Sequence, residues 1–252
     1  MKFVLFFPFL FFPSLAWSGQ IDPTVISSVS YRFNMNENGG AVTANFKSNS
    51  HGTLANSPSW VTGLHGPGLN FNNSGARVSM SNVDRPDGDL PMTVFLFILN
   101  NRAFKLNRWY FQYGTSAANN YRRIISNNRQ IQVDYGAPNS SKNYDVFFPT
   151  AAWFGIAVRY DGALETLFYE SRTANYESNF ASTTFRDSRV VSGLGTTGGG
   201  GLFQFGGNSD AADDCQCTLD DFMLVNRAMS DNEIIFHLKT TLAERNRRGN
   251  GF

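Results

Sequence analysis

An antiparallel all-β fold closed by a single helix is what this sequence predicts, and three observations predict it. Charged residues make up only 16% of the chain, while aromatics reach 15% alongside 23 glycines, a composition that favours strands and turns over long charged helices. Short runs of β-branched and aromatic residues recur along the chain, several with strict two-residue alternation. Near the C-terminus, one capping box precedes one apolar stripe of helical period.

The elements follow in order. Val25 to Phe33 opens the folded part, with Val25, Ser27, Val29, Tyr31 and Phe33 on one face. Thr93 to Leu99 is continuously apolar, the pattern of a strand covered on both sides. Arg108 to Tyr113 is an aromatic strand. Tyr121 to Ser126 and Arg129 to Tyr135 flank Asn127-Asn128, which tolerates positive φ and predicts a hairpin. In the second of these strands Ile131, Val133 and Tyr135 point inward, and Gln130, Gln132 and Asp134 outward. Phe154, Ile156, Val158 and Tyr160 alternate next, and Asp161-Gly162 turns the chain into Leu164 to Glu170. Leu202 to Phe205 and Leu219 to Val225 complete the strands. Ser230 to Glu233 then caps a helix over 230 to 244, with Ile234, Leu238 and Leu242 on one stripe and Ile235 beside them. Gly193 to Gly201 reads as a surface loop, because a phosphate-cradling glycine loop must lead into a helix and a strand follows here.

The N-terminus predicts an exported chain. Lys2 precedes Phe3 to Phe12, which holds six phenylalanines and no charge, and small residues follow Pro13. The stretch is too short to span a membrane, so residues 1–18 read as a signal peptide cleaved before Trp17 or Gly19, with no transmembrane segment. The protein is then secreted, periplasmic or displayed at the cell surface. The mature part is one domain over 19–245, with 246–252 as a basic, flexible tail. Lys2 is the only charge in the leader, so the remainder balances 20 basic against 20 acidic residues. That balance argues against nucleic acid as a partner, since phosphate binding needs a basic excess. Cys215 and Cys217 are one residue apart; an extended strand separates such Cα atoms by about 6.5–7 Å, the edge of disulfide reach. A local disulfide in a bent loop is favoured, with a free pair or an intermolecular bridge as alternatives.

Four stretches together resemble the laminin-G-like, concanavalin A-like lectin/glucanase superfamily, in its pentraxin-like branch. They are Tyr31-Arg32-Phe33 with Gly52-Thr53-Leu54; Trp60, Gly63, Gly66, Gly68-Leu69 and Phe71 leading to Arg77-Val78; Trp153 to Gly162 with Leu167-Phe168-Tyr169; and Leu219 to Ile234 with Arg227 at its turn. The resemblance implies a jelly roll of two packed antiparallel sheets, in agreement with the strands read from periodicity. Read as residues, Trp60 and Trp153 are expected to pack at sheet edges, and Arg227 to pair with Asp220 or Asp221 across the turn. The resemblance also implies a Ca²⁺ site at Asp220 and Asp221, although Ala44-Asn45 stands where the family commonly places an acid, and Asp87-Gly88-Asp89 is a weaker alternative.

Catalysis finds no support in the pattern. Retaining glucanases of this superfamily carry Glu-x-Asp-x-Glu, two carboxylates on one side of a strand, and no such motif occurs. The acidic clusters at 84–89, 210–214 and 220–221 contain aspartates alone, and His51, His65 and His237 form no triad or metal spacing. Recognition leads instead. Sugar binding needs aromatic faces and planar amides, which Trp109, Tyr110, Tyr113 and Tyr121 around Asn119 and Asn120 offer. The expected function is a non-catalytic module that binds a glycan; a protein-binding adhesive or structural surface domain is the alternative, and a hydrolase or lyase a more distant one.

Overall fold

Sixteen strands and one helix form among the described residues, and the most apolar runs become the central strands. A computed structural model of the chain describes residues 29–45, 51–80, 90–100, 108–114, 121–127, 130–135, 141–146, 152–171, 183–191, 202–207 and 215–249. The strands are β1 Val29–Phe33, β2 Val42–Thr43, β3 Gly52–Ala55, β4 Ser59–Thr62, β5 Pro67–Asn70, β6 Arg77–Met80, β7 Met92–Asn100 and β8 Arg108–Gly114. They continue as β9 Tyr121–Asn127, β10 Gln130–Asp134, β11 Lys142–Asp145, β12 Trp153–Tyr160, β13 Leu164–Ser171, β14 Thr183–Val190, β15 Leu202–Phe205 and β16 Cys217–Val225. Helix α1 is Asp231–Gly249. The first sheet runs β14-β13-β12-β7-β16-β5-β4, with β1 also paired to β16; the second runs β11-β10-β9-β8-β15-β6-β3-β2. All strand pairs are antiparallel, and the two sheets pack face to face as the expected sandwich.

The continuous apolar run of β7 has the predicted cause. Val94, Leu96 and Ile98 enter the core between the sheets, whereas Phe95 and Phe97 point the other way, beneath α1. β16 divides similarly, with Leu219, Phe222 and Leu224 in the core and Met223 and Val225 on the helix side. The helix lies on the first sheet through Ile234, Leu238 and Leu242, all buried. Gly155 of β12 makes that approach possible, since a Cβ there would stand 2.8 Å from both Leu238 Cδ2 and Phe97 Cε1. Ser230 and Glu233 form the capping box: the Ser230 amide donates to Glu233 Oε2 at 2.7 Å and the Glu233 amide to Ser230 Oγ at 3.3 Å. Among the described residues no helix is long and apolar enough to cross a membrane.

Several expectations change. A register shift between Val29 and Tyr31 breaks the alternation of β1, so Tyr31 and Phe33 join the inter-sheet core while Val29 joins the helix-side cluster. Trp153 is not at an edge: β12 is an inner strand, and the ring is buried under α1. Trp60 does lie on the edge strand β4, half-buried against the core. Arg227 pairs with Glu233 rather than an aspartate, and Asp221 pairs with Arg32. The helix continues to Gly249, so the basic stretch from 246 begins inside it. The leader at 1–18, residues 25–28, Asp87 to Asp89 and the glycine run at 193–201 lie outside the described residues.

Candidate functional site

The outer face of the second sheet carries the candidate site. Inward alternation on five of its strands sends Val78, Phe111, Tyr113, Ile124, Ile131, Val133, Phe203 and Phe205 into the core. The intervening side chains therefore share the opposite face. A bulge in β8 between Trp109 and Phe111 accommodates Tyr110 as the extra residue and leaves Trp109 half-exposed. Opposite it, β9 contributes Tyr121 and Arg123, and β10 contributes Gln132 and Asp134.

These side chains form one assembly. The Arg123 guanidinium lies 4.8 Å from the Trp109 ring centroid and 5.0 Å from that of Tyr121. Arg123 Nε donates to Asp134 Oδ2 at 2.8 Å, its Nη2 donates to the same oxygen, and the Tyr121 hydroxyl adds a third bond at 3.2 Å. Four side chains from three strands are thereby locked in place, with planar donors and acceptors beside two rings. Beyond them the strand register continues the row: Asp134 faces Arg123, Arg123 faces Gln112, Gln112 faces Gln204, Gln204 faces Ser79, and Ser79 faces Thr53.

Of the six residues expected to bind ligand, the structure brings Trp109 and Tyr121 together and removes two. Tyr110 and Tyr113 are fully buried and present no face to solvent. Tyr110 donates to Asn100 Oδ1 at 3.4 Å, and burial raises its phenol pKa. Tyr113 alternates inward, accepts from Arg122 Nη1 at 2.6 Å and donates to Met92 Sδ at 3.1 Å. Asn119 and Asn120 lie outside the described residues. Arg123 and Asp134 were missed as site residues; their outward alternation across a hairpin was legible, but the cross-strand register that pairs them was not.

Asp220 and Asp221 form a different structure. They sit in a bulge of β16, with Asp221 at φ +51°. The buried Asp220 carboxylate accepts from the Leu64 and His65 amides at 2.7 and 3.0 Å and from the Asp221 amide at 2.8 Å. Gly63 has no side chain because a Cβ would lie 2.6 Å from Asp220 Oδ2. Burial, then the neighbouring Asp221 charge, pushes the Asp220 pKa up to about 7 against the pull of those three amides. Asp221 instead faces Arg32 at 3.5 Å. Among the described residues no three acidic, histidine or cysteine side chains are grouped to hold a metal ion. Asp220 and Asp221 by themselves fall short of the six to eight oxygen ligands that a Ca²⁺ ion takes. Asp220 holds the 63–66 turn against β16.

Cys215 and Cys217 are joined in a disulfide, with Cα atoms 5.1 Å apart and both residues fully buried. Gln216 between them takes φ +47°, the bend that brings the pair within reach.

No protein-family model and no curated protein matches the sequence. Solved structures match the fold. The binding domain of botulinum neurotoxin serotype D superposes with a TM-score of 0.62 at 12% identity over 86% of this chain, and this chain spans 53% of that one. Domain 4 of the extracellular GH43 arabinanase AbnA from Geobacillus stearothermophilus, in complex with arabinotriose, gives 0.57 at 12% identity, covering 82% of this chain and 96% of the other. Trypanosoma rangeli sialidase gives 0.57 at 13% identity, over 86% of this chain and 34% of the enzyme. At these identities the likeness establishes a two-sheet sandwich and nothing finer.

Proposed function

We propose that this chain is an exported, non-catalytic recognition module of the laminin-G-like, concanavalin A-like kind that binds carbohydrate on the outer face of its second sheet. One observation carries the reading: Trp109 and Tyr121 bracket an Arg123 fixed by Asp134, at the head of a row of carboxamide and hydroxyl side chains. Ring faces suit sugar C–H groups, and the paired donors and acceptors suit hydroxyls. The arabinotriose complex of the arabinanase domain and an N-acetylneuraminic acid complex of the neurotoxin D domain support the choice of ligand class. The balanced charge and the leader support export and a partner other than nucleic acid. A shallow sheet face buries little area, so single-site affinity is weak and display in several copies raises it.

Glycan-array screening followed by calorimetry tests this. Trp109→Ala is expected to weaken the best glycan roughly tenfold, the loss of about 1.4 kcal/mol of ring contact. A chelator is expected to leave binding unchanged. Tight binding to a protein with no response to any glycan would replace this reading with the adhesive one.

A further inference from the structure

We propose that the Cys215–Cys217 disulfide positions Trp109 through the Tyr110 bulge of β8, so that the site is complete only in the disulfide-bonded chain. This rests on the carbohydrate reading for its ligand, whereas the positioning itself is observable with no ligand present.

Trp109 turns outward because Tyr110 is the extra residue of the bulge and turns inward. Tyr110 is gripped at both ends. Its carbonyl accepts from the Gly206 amide at 3.0 Å, and its hydroxyl donates to Asn100 Oδ1 at 3.4 Å. Each grip leads to one cysteine. The Gly206 carbonyl accepts from the Cys215 amide at 3.1 Å, and Asn100 faces Cys217 across β7 and β16. The disulfide therefore joins the two supports of the bulge residue.

The hairpin that carries the bond is itself clamped to the first sheet. The Gln216 amide donates to the Phe71 carbonyl at 3.1 Å, and the Phe71 amide to the Cys217 carbonyl at 2.9 Å. The Phe71 ring closes on Gly206, where a Cβ would stand 2.3 Å from Cδ1 and Cε1 and φ is +87°. That contact fixes the Gly206 peptide between the hairpin and Tyr110. Gln216 takes φ +47°, which costs a residue with a Cβ, and the bond between its neighbours keeps it there. Without the bond, Gln216 can return to the extended region, where Cα atoms two residues apart stand about 6.5–7 Å from each other. An opening of about 1.5 Å from the present 5.1 Å breaks a hydrogen bond of ordinary length.

Indole N–H resonances of the isotope-labelled mature chain provide the test, assigned with Trp60→Phe, Trp109→Phe and Trp153→Phe. In the double variant Cys215→Ala with Cys217→Ala, the Trp109 resonance is expected to move while those of Trp60 and Trp153 stay. The parent gives a second route. Both cysteines are fully buried, so it is unfolded and refolded in excess dithiothreitol. The two thiols of that reagent become its cyclic disulfide as the protein's bond becomes two thiols, and the same shift is expected with both sulfurs retained. Phe71→Leu keeps the disulfide and lifts the ring from Gly206, so it should move Trp109 even where the cysteine variants fail to fold. Leu238→Ala, beneath α1, destabilises elsewhere and should leave Trp109 in place. For the glycan that binds the parent best, the disulfide-free chain should bind several-fold more weakly, and adding Trp109→Ala should weaken it little further. An unmoved Trp109 resonance, or equal movement of all three, would overturn the proposal, as would full affinity without the bond. A moved Trp109 in a chain that binds no glycan would remove the carbohydrate reading and leave the positioning role intact.

Discussion

The interior of the sandwich has two halves held by opposite means. In one, Phe33, Phe71, Phe111, Phe203, Phe205 and Phe222 pack ring against ring, with Phe205 and Phe222 stacked at 5.1 Å. In the other, toward β10, β11, β13 and β14, Arg122 is 2% exposed, and its guanidinium lies 5.1 to 5.9 Å from the rings of Tyr113, Tyr135 and Tyr160. Beside it the fully buried Glu165 accepts from the Tyr144 hydroxyl and from Arg189 Nε at 3.0 Å. Burial, reinforced by the Glu165 charge, drives the Tyr144 phenol far above its ordinary pKa, so it remains a donor. The phenylalanine half gains by area removed from water, roughly in proportion to what is buried. The charged half gains only while every partner is present, because a buried ion without its counterpart is costly.

Paired substitutions separate these regimes. Phe222→Ala is expected to cost about 3–5 kcal/mol, and a further Phe205→Ala to cost more, since each removes ring volume that the core cannot refill. Glu165→Ala is expected to cost about 3–5 kcal/mol as well, because it leaves Arg189 and the Tyr144 hydroxyl without their acceptor. The double variant Glu165→Leu with Arg189→Met should recover most of that loss. Urea unfolding of the four variants decides it. If the double variant were as unstable as Glu165→Ala, the polar half would be contributing through packing, and the distinction between the halves would fail.

A smaller effect tests the same contrast beneath the helix. Asp220 has its pKa raised to about 7, so it contributes stability present below about pH 4, its unfolded value, and lost as pH rises toward 7. His237 on α1 packs edge-on against Phe95 at 4.8 Å, and burial, then the charges of Arg32 and His65, lowers its pKa to about 3. Its contribution is present above about pH 6.5, its unfolded value, and lost as pH falls toward 3. The two slopes oppose each other between about pH 4 and 6.5, each at most about 1.4 kcal/mol per pH unit. Relative to the parent, stability of Asp220→Asn should therefore rise with pH across this window, and that of His237→Phe should fall. Thermal unfolding at several pH values, taken as differences from the parent, checks both signs. Parallel curves for parent and variants would show that neither group titrates differently on folding.

What could be read from the sequence divides along similar lines. Strands whose side chains are apolar on one or both faces, such as β7, β10, β12 and β16, were legible because burial writes itself into residue type. The capped helix was legible for the same reason, its stripe of Ile234, Leu238 and Leu242 being buried. The short strands β2, β4, β5 and β11 were not: Ser59-Trp60-Val61-Thr62 or Lys142-Asn143-Tyr144-Asp145 carries too few apolar positions to show a period. β14 lies at a sheet edge and carries Arg186-Asp187-Ser188-Arg189, whose polarity conceals its strand character. At the site, residue type pointed to aromatics in β8 and β9 but could not divide them by face. The bulge at Tyr110 sends Tyr110 and Tyr113 inward and Trp109 outward, and a bulge depends on the partner strand as well as on the strand itself.

The weakest expected effect lies at the rim of the charged half, and it locates where that half draws its stability. Lys142 Nζ of β11 donates to Asp187 Oδ2 at 2.6 Å and to the Ser188 carbonyl at 3.0 Å, tying the edges of the two sheets together. The hydrogen bond from Lys142 holds the Asp187 pKa below its ordinary value. Both side chains nevertheless remain partly exposed, at 26% and 44%, so water and salt screen their attraction. Lys142→Met keeps most of the apolar stem and removes the ammonium, which lies 4.5 Å from the Tyr144 ring centroid. It should cost less than about 1 kcal/mol, and raising the salt concentration should destabilise the parent by a similar amount and the variant hardly at all. Glu165→Ala, by contrast, should keep its full cost in high salt, because ions do not reach a fully buried carboxylate. Urea titrations at low and high salt separate the two. An equal, salt-insensitive loss from both substitutions would mean that the rim pair and the buried pair act as one network, and the boundary between them would have to move outward to β14.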